Sequence, residues 1–543
     1  MIVLDANRAA SLIELAQKRF DPDLPESELK ILRDSASSAP PAWPDQAVPQ
    51  AEIRPEFVRW LVTDAEAAAC IDANGFRGYG VKIAGQLNLD NCRVLVPMRL
   101  HGCTLEGEVS FVDAETKSVF FSDCTVNGDF SAWRMDVNGA LYFDGTVFNG
   151  VIKLMSARIG STFVCDRAQI LVKSGYGLDA TGSVFEDGIS FGGEFFTSGG
   201  IQLIDARLTG VLDCTSAKLH VPEGDALVLT RATVTGGVYL CGGFESWGAI
   251  RMQDVEIGGT LSFMGASVAW VLCMNMRLTG DMLWMGVTKS AGTNLDLTAA
   301  TIKALRDDVL SWPSADNLTL TGFTYGELIL HKAPSPEEAK NGWFPQELPL
   351  NADARIEWLM RQSREGRIQP QPWMALSAHL QARGDDRAAK HVVYRLRRVQ
   401  AIEKKTSPLL RGLAIRFAWL EEAPLRILYS ITLTLLIGWA IFGYASHKGA
   451  IAPTSAEAYR AFMAGKVMPV AYPTFNPFVY TLDNAVPLVK LGQDDKWTPD
   501  QRFVSTNPLT SYWFLMWVRW GIILFGWFQA TVLAAALSGR FKQ

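Results

Sequence analysis

The sequence predicts a mainly β chain: a right-handed β-helix, or solenoid, with coils of about 21–25 residues, followed by a helical hairpin and two transmembrane helices. Three observations predict it. A glycine followed by alternating apolar residues recurs every 21 or 22 residues. A longer unit repeats without gaps at an offset of 49 residues. Two stretches of about 20 apolar residues lie near the C-terminus.

The short repeat occurs at Gly85 (Leu87, Leu89), Gly107 (Val109, Phe111), Gly128 (Phe130) and Gly150 (Ile152, Leu154), then at Gly188, Gly210, Gly237, Gly259 and Gly280. Period-two alternation means strands whose every second side chain faces inward. Each glycine reads as a corner that needs freedom in φ. In the longer repeat, residues 177–214 align with 226–263: Gly188 with Gly237, Asp205 with Asp254, Gly210 with Gly259. Two coils of unequal length would make that unit. A single coil cannot bury its own apolar row, so coils must stack. Cys103 and Cys124, one 21-residue period apart, should stack as core thiols. None of the eight cysteines forms a CxxC pair, which excludes a zinc ribbon or a thioredoxin motif.

The domains follow from these signals: 1–74 an N-terminal helical cap, 75–332 the solenoid, and 333–424 a linker and helical hairpin with a basic juxtamembrane segment. Then come 425–445 as transmembrane helix 1, 446–512 as an extracytoplasmic loop, 513–538 as transmembrane helix 2, and 539–543 as a cytoplasmic tail. Ile53, Phe57, Trp60 and Leu61 suit one helical stripe over the first coil. Residues 318–330 read as the last coil. Beyond it the period changes to about 3.6, with helices around Ala352–Leu359, from Pro372, and over Ala388–Val399 after a Gly384-Asp385-Asp386 turn. The hairpin is similar to a tetratricopeptide unit.

Basic residues set the expected orientation. Between Arg383 and Arg426 lie eleven Lys or Arg against five acids, whereas 446–512 holds six against five. The positive-inside rule puts the solenoid and both termini in the cytoplasm. Met1–Phe20 has no apolar core of signal-peptide length, which agrees. In the second span Trp513, Trp517 and Trp520 suit an interfacial belt, and Arg519 can snorkel there. Gln529 sits near mid-span, where an unsatisfied amide is costly, so it should face another helix of the same hairpin or of a second subunit. Gly438, Gly521 and Gly526 could let helices approach closely. Gly438, Arg519, Gly521, Gly526 and Gln529 are therefore the candidate membrane-helix contact residues.

Four stretches carry a resemblance: Ile53-Arg-Pro-Glu-Phe-Val-Arg-Trp-Leu61, Ala206-Arg-Leu-Thr-Gly-Val-Leu-Asp-Cys214, Leu380-Gln-Ala-Arg-Gly-Asp-Asp-Arg-Ala-Ala389, and Asn476-Pro-Phe-Val-Tyr-Thr-Leu-Asp-Asn-Ala-Val-Pro-Leu-Val-Lys-Leu-Gly492. In these the chain resembles a bacterial group of pentapeptide-repeat-like β-helix membrane proteins. The resemblance implies the fold and attachment to the bacterial cytoplasmic (inner) membrane. Members are often labelled membrane-associated oxidoreductases, but no catalytic residue carries over. The coils also depart from a strict five-residue repeat.

No motif in the sequence supports that chemistry. Gly78-Tyr-Gly80 with Gly85, and Gly175-Tyr-Gly177 with Gly182, miss the third-glycine spacing of a dinucleotide fingerprint. The six histidines are scattered, with no metal spacing, so no cofactor or metal is expected. Asp205 and Asp254 recur in phase, as a lyase face or as a repeated turn. The chain's net charge is −5, and residues 75–332 hold 19 basic against 27 acidic residues, or 19 − 27 = −8, which argues against nucleic acid. The expected function is a membrane-anchored solenoid serving as a cytoplasm-facing scaffold for a protein partner. The alternatives are an oligomeric two-helix channel gated by the solenoid, and a membrane-associated enzyme with unknown catalytic residues. No TVGYG-like filter occurs in the loop between the spans.

Overall fold

The computed structural model describes residues 2–39, 51–288, 292–329, 351–362, 368–403, 408, 426–486, 490–504 and 507–537. The chain divides into two compact units, Met1–Val392 and Val393–Gln543. The expected linker after the last coil, most of the basic segment before the first apolar helix, and the tail lie outside the described residues.

The first unit is a parallel β-solenoid of about eleven turns. Its strands form two 19-stranded sheets. Most turns contribute two short strands to each sheet, as 125–126 and 130–131 to one and 136–137 and 141–142 to the other. Inward positions recur at half a turn. Phe130, Ala132, Met135 and Val137 are buried, then Leu141, Phe143, Thr146 and Phe148, then Ile152, Leu154, Ala157 and Ile159. Each set lies 11 residues after the last (141 − 130 and 152 − 141).

Each half-turn bends at a residue with positive φ: Arg134 (54°), Gly145 (64°), Ser156 (59°) and Arg167 (57°). The bend is a β-turn closed by the next N–H, as Ala157 N–H donating to Leu154 C=O at 2.9 Å. A positive φ at the third residue is what a type II turn demands. The residue that follows points into a narrow corner and is small in most turns, as Ala114, Ala157, Ala168, Ala206, Ala217, Ala232, Ala266 and Ala300.

The glycines that lead the repeat do not supply these bends. Gly107, Gly128 and Gly150 have ordinary φ, and only Gly85 among the first four has a positive one. They are glycine because successive turns touch there. A Cβ on Gly128 would stand 2.6 Å from the backbone of Gly107, and one on Gly150 2.5 Å from the Gly128 carbonyl. Close stacking sets this period at Gly107, Gly128 and Gly150, whereas Gly85 (φ 93°) and Gly188 (φ 104°) do use freedom in φ.

The 49-residue unit is two turns of unequal length. Gln169 pairs with Phe196 and Phe196 with Lys218, steps of 27 and 22; Lys218 pairs with Glu245 and Glu245 with Ser267, again 27 and 22. The longer turns carry irregular register between Tyr176 and Leu178 and between Asp225 and Leu227. Asp205 and Asp254 recur because both occupy the positive-φ corner, at 55° and 54°. Asp205 accepts two bonds of 2.7 Å from Arg231 one turn on, and this guanidinium holds its carboxyl below the usual range. Arg134 pairs likewise with Asp113, and Arg167 with Asp144. Cys103 and Cys124 lie buried beside each other on successive turns as free thiols, and burial pushes the Cys124 thiol up.

Helices close both ends. At the start stand α1 (Ile2–Arg19), α2 (Glu26–Ala36), α3 (Pro55–Thr63) and α4 (Ala65–Cys70). Phe57 and Leu61 of α3 are buried as expected, but Ile53 belongs to strand 51–53, which pairs with 81–83 as the first rung. At the other end the inward row runs Phe263, Trp284 and then Asp307. That carboxylate meets Arg355 of α5 (Ala352–Leu359) at 2.7 and 2.8 Å, both side chains 1% exposed. Trp312 Nε1 adds a third donor at 2.7 Å. α6 (Gln371–Ala382) covers strand 324–328, where the Tyr325 hydroxyl donates to the Pro372 carbonyl at 3.2 Å. α7 (Asp386–Glu403) follows a turn at Gly384 (φ 83°). Thus α5 and α6 cap the rod, a role that the comparison with a tetratricopeptide hairpin does not convey.

Candidate functional site between the apolar helices

The second unit is built on α8 (Ile427–His447) and α11 (Tyr512–Leu537), both long and apolar enough to span a membrane. The segment between them is folded. Strands 451–453 and 497–499 pair antiparallel, and α9 (Ala456–Met463) and α10 (Pro477–Ala485) stand between them in sequence. Asn476 caps α10 by accepting from the N–H groups of Phe478 and Val479, with Pro477 in the first turn. Asparagine at the cap and proline just inside it favour a helix start.

α10 packs against both long helices. Gly438 of α8 faces Thr481, whose Cγ2 would lie 2.2 Å from an added Cβ. Gly526 of α11 faces the Ala485 carbonyl, at 1.9 Å from an added Cβ. Both glycines thus make room for α10. Gly521 adjoins nothing within 4 Å. The fully buried Tyr480 ring meets Phe442 edge-on at 4.9 Å, and Phe475 at 5.3 Å.

Arg519 turns to the intervening segment. Its Nε donates to Asn484 Oδ1 and its Nη2 to the Asp494 carbonyl, both at 2.9 Å, and the guanidinium lies 5.6 Å from the Tyr480 ring. Asp483 accepts from the N–H groups of Leu491 (2.7 Å), Gln493 (2.6 Å) and Asp494 (2.9 Å), which brings the chain back beside α10. Deeper along α11, Gln529 is 2% exposed and its amide donates to Ser430 and Thr434 of α8 at 2.9 and 3.0 Å. Both amide hydrogens therefore find partners within the chain.

Sequence reasoning picked out the polar and glycine positions of the long helices but not Thr481, Asn484 and Ala485, which three of them meet. The signal available was Asn476-Pro477, a helix start inside a loop. The arrangement has donors and acceptors but no nucleophile–base pair, and no group of three metal-ligating side chains occurs among the described residues.

The fold and this unit define a class: a capped parallel β-solenoid joined to a pair of membrane-length helices that grip a short third helix. No family model, no curated protein and no solved structure matches the chain.

Proposed function

We propose that the protein is a membrane-anchored scaffold, with α8 and α11 crossing a bilayer and the solenoid offering a binding surface to a protein partner. The observation that carries the anchoring is an inverted distribution of side chains. Leu428, Tyr429, Leu433, Leu436, Ile437 and Trp439 of α8 are exposed, as are Trp513, Trp517, Leu524, Phe525 and Trp527 of α11. The polar Thr434 and Gln529 are buried. Water would penalise that arrangement, and hydrocarbon favours it. The basic residues before α8 support a cytoplasmic solenoid and cytoplasmic termini, in the inner membrane of a bacterium of the pentapeptide-repeat-like group.

The partner surface is supported by rings left outside the rod. Tyr176, Trp247 and Trp270 are 37%, 39% and 50% exposed on the long-turn side, and His220 meets Trp247 at 4.8 Å. Exposed aromatic side chains are common anchors of protein interfaces. The test places a photo-crosslinking residue at 247 or 270 in membrane-bound full-length protein. A discrete protein adduct from these positions, absent when the probe sits at Lys303, supports the scaffold. No adduct from either would sink it. Alkaline carbonate extraction tests the anchor, which fails if the full chain is released from membranes.

A second reading, an oligomeric channel, is favoured by α10. Its middle residue, Thr481, reaches Gly438, nine residues from His447, and its last, Ala485, reaches Gly526, fourteen from Tyr512. At about 1.5 Å per residue these are depths of roughly 14 and 21 Å, near the middle of a hydrocarbon core of about 30 Å. A half-membrane helix of this kind sits at many pores and carriers. Single-channel recording from the purified protein in planar bilayers decides it, and silence at all voltages would exclude it.

A further inference from the structure

Sixteen residues, Val467 to Leu482, carry no charge between Lys466 and Asp483. The run enters α10 at Pro477, and a loop precedes that helix. Met468, Tyr472 and Phe475 of the loop pack against a buried cluster that joins Phe442 and Ala445 of α8 to Ile451 and Trp497 beyond its end. Hydrogen bonds pin the same loop. Thr454 N–H donates to the Tyr472 hydroxyl at 3.0 Å, Gln493 Nε2 to the Thr474 carbonyl at 3.0 Å, and Trp497 Nε1 to the Pro473 carbonyl at 3.1 Å. Val467 and Val470 lie on its outside. Val467 is 93% exposed and Val470 fully so, and Met463 at the end of α9 and Phe478 of α10 are exposed as well. A single exposed apolar side chain is ordinary. A pinned, uncharged run that leaves two valines and a phenylalanine outside is a surface built to be covered.

The height of the loop says what covers it. Pro477 lies 3.7 Å from a Cβ added to Gly443, four residues before His447. At about 1.5 Å per residue α10 therefore starts roughly 6 Å inside the end of α8. Phe478, the next residue, stands beside the exposed apolar face of the long helices. Cations adjoin rings at the same end: Lys448 Nζ is 5.9 Å from the Tyr444 ring, and Lys496 Nζ is 6.0 Å from the Tyr472 ring. Lys466 opens the uncharged run. Rings with ammonium groups beside them suit the boundary between hydrocarbon and water.

We propose that the loop before α10 is an interfacial foot. Val467 and Val470 rest among the lipid acyl chains just beneath the headgroups, and Phe478 continues that contact into the hydrocarbon. The occupant of this surface is the bilayer that α8 and α11 cross, so the inference rests on the anchoring reading above. The foot fixes the depth at which α10 starts between the two long helices.

The experiment uses full-length protein in phosphatidylcholine nanodiscs, with a small fluorescent amino acid encoded at one position at a time. Positions 467 and 470 test the foot. Glu457, exposed on α9, is the aqueous reference, and Leu433, exposed on α8, is the hydrocarbon reference. Because Val467 and Val470 are exposed, a probe there disturbs no packing. A lipid nitroxide near the headgroup should quench 467 and 470 several-fold more than 457. Iodide in the water should quench 457 several-fold more than either. A nitroxide deep in the acyl chains should quench 433. Iodide quenching at 467 and 470 equal to that at 457, with no effect of the lipid nitroxide, overturns the proposal. Protection from both quenchers also overturns it, because a second copy or another protein would then cover the loop. In both cases quenching at 433 leaves the anchor standing. A 433 probe that the deep nitroxide does not reach removes the anchor and the foot together.

Discussion

Inside the solenoid an inward side chain meets its own kind. Phe130 packs against Phe111, Phe143 and Phe148 at 4.9–6.3 Å, and Phe163 against Phe185 at 5.8 Å. In the second unit the inward residues are singular. Gln529 meets Ser430 and Thr434, and Arg519 meets Asn484 and the Asp494 carbonyl. The two regions are specified in different ways. A repeated apolar row fixes a fold by repetition, but one rung resembles the next and register relies on the backbone corners. A unit with few elements has no repetition to draw on, and unique polar partners set its geometry. The capped rod adopts the second strategy at its ends, at Asp307 and Arg355 after the last turn and at the buried Glu28, which accepts from Arg54 at 2.6 and 2.9 Å, before the first.

That contrast can be broken at its sharpest point. Arg355→Met leaves Asp307 buried without its cation and should cost about 3–5 kcal/mol, read as loss of thermal stability of the β signal in circular dichroism. The double variant Arg355→Met/Asp307→Leu should recover most of the loss, because a buried ion pair is often replaceable by packed apolar groups. A double variant as unstable as the single one would mean that the pair does more than end the row.

The next effect separates the two kinds of corner. Gly128→Ala pushes a Cβ to 2.6 Å from the backbone of Gly107. Overpacking of this kind costs about 1–3 kcal/mol. Ser156→Gly, at φ 59°, should be neutral or stabilising by up to about 1 kcal/mol, since a left-handed residue prefers no Cβ. Equal destabilisation by both substitutions would return the leading glycines to a role in φ.

These corners also show what the sequence could say. The 21–22-residue spacing and the 49-residue unit were legible because glycine and apolar alternation are strong local signals. The 11-residue half-turn was not. Its marker is an alanine after the bend, as at Ala157 and Ala168, and alanine is common enough to pass unnoticed. The bends hold Arg, Ser, Asp and Gly alike, so no residue type announces them. Asp307 and Arg355 are 48 residues apart with no period joining them. At the candidate site, Gly438, Gly526, Arg519 and Gln529 stood out within apolar runs. The α10 residues that meet the first three, Thr481, Ala485 and Asn484, did not, because a tertiary insertion leaves no periodic trace.

In the second unit the two glycines of α11 make a matched pair. Gly526→Ala meets the Ala485 carbonyl and should cost about 1–3 kcal/mol by overpacking. Gly521→Ala adjoins open space and should change stability by no more than about 0.5 kcal/mol. Thermal unfolding in mild detergent, followed by tryptophan fluorescence, reads both. If the two cost the same, α10 is not held against α11 as described.

The smallest effect concerns Gln529, where the two regions differ most in kind. A buried hydroxyl in the rod, such as that of Thr146, donates to the backbone of the preceding turn (Phe121 C=O, 2.9 Å), whereas this amide joins two helices. Its two bonds to Ser430 and Thr434 are made inside an apolar unit. Interhelical hydrogen bonds in membranes average about 0.6 kcal/mol and reach about 1.7. Gln529→Leu should therefore destabilise the helix pair by roughly 0.6–2 kcal/mol. Insertion should be unaffected, since leucine suits hydrocarbon at least as well. Because both amide hydrogens are already engaged within the chain, self-association should not change. Sedimentation of wild type and variant across a dilution series separates the alternatives. Superimposable curves with a lower unfolding temperature for the variant place Gln529 within one chain. A variant that dissociates at higher concentration than wild type would place it between subunits, and the intrachain bonds to Ser430 and Thr434 would then have to yield to a partner's.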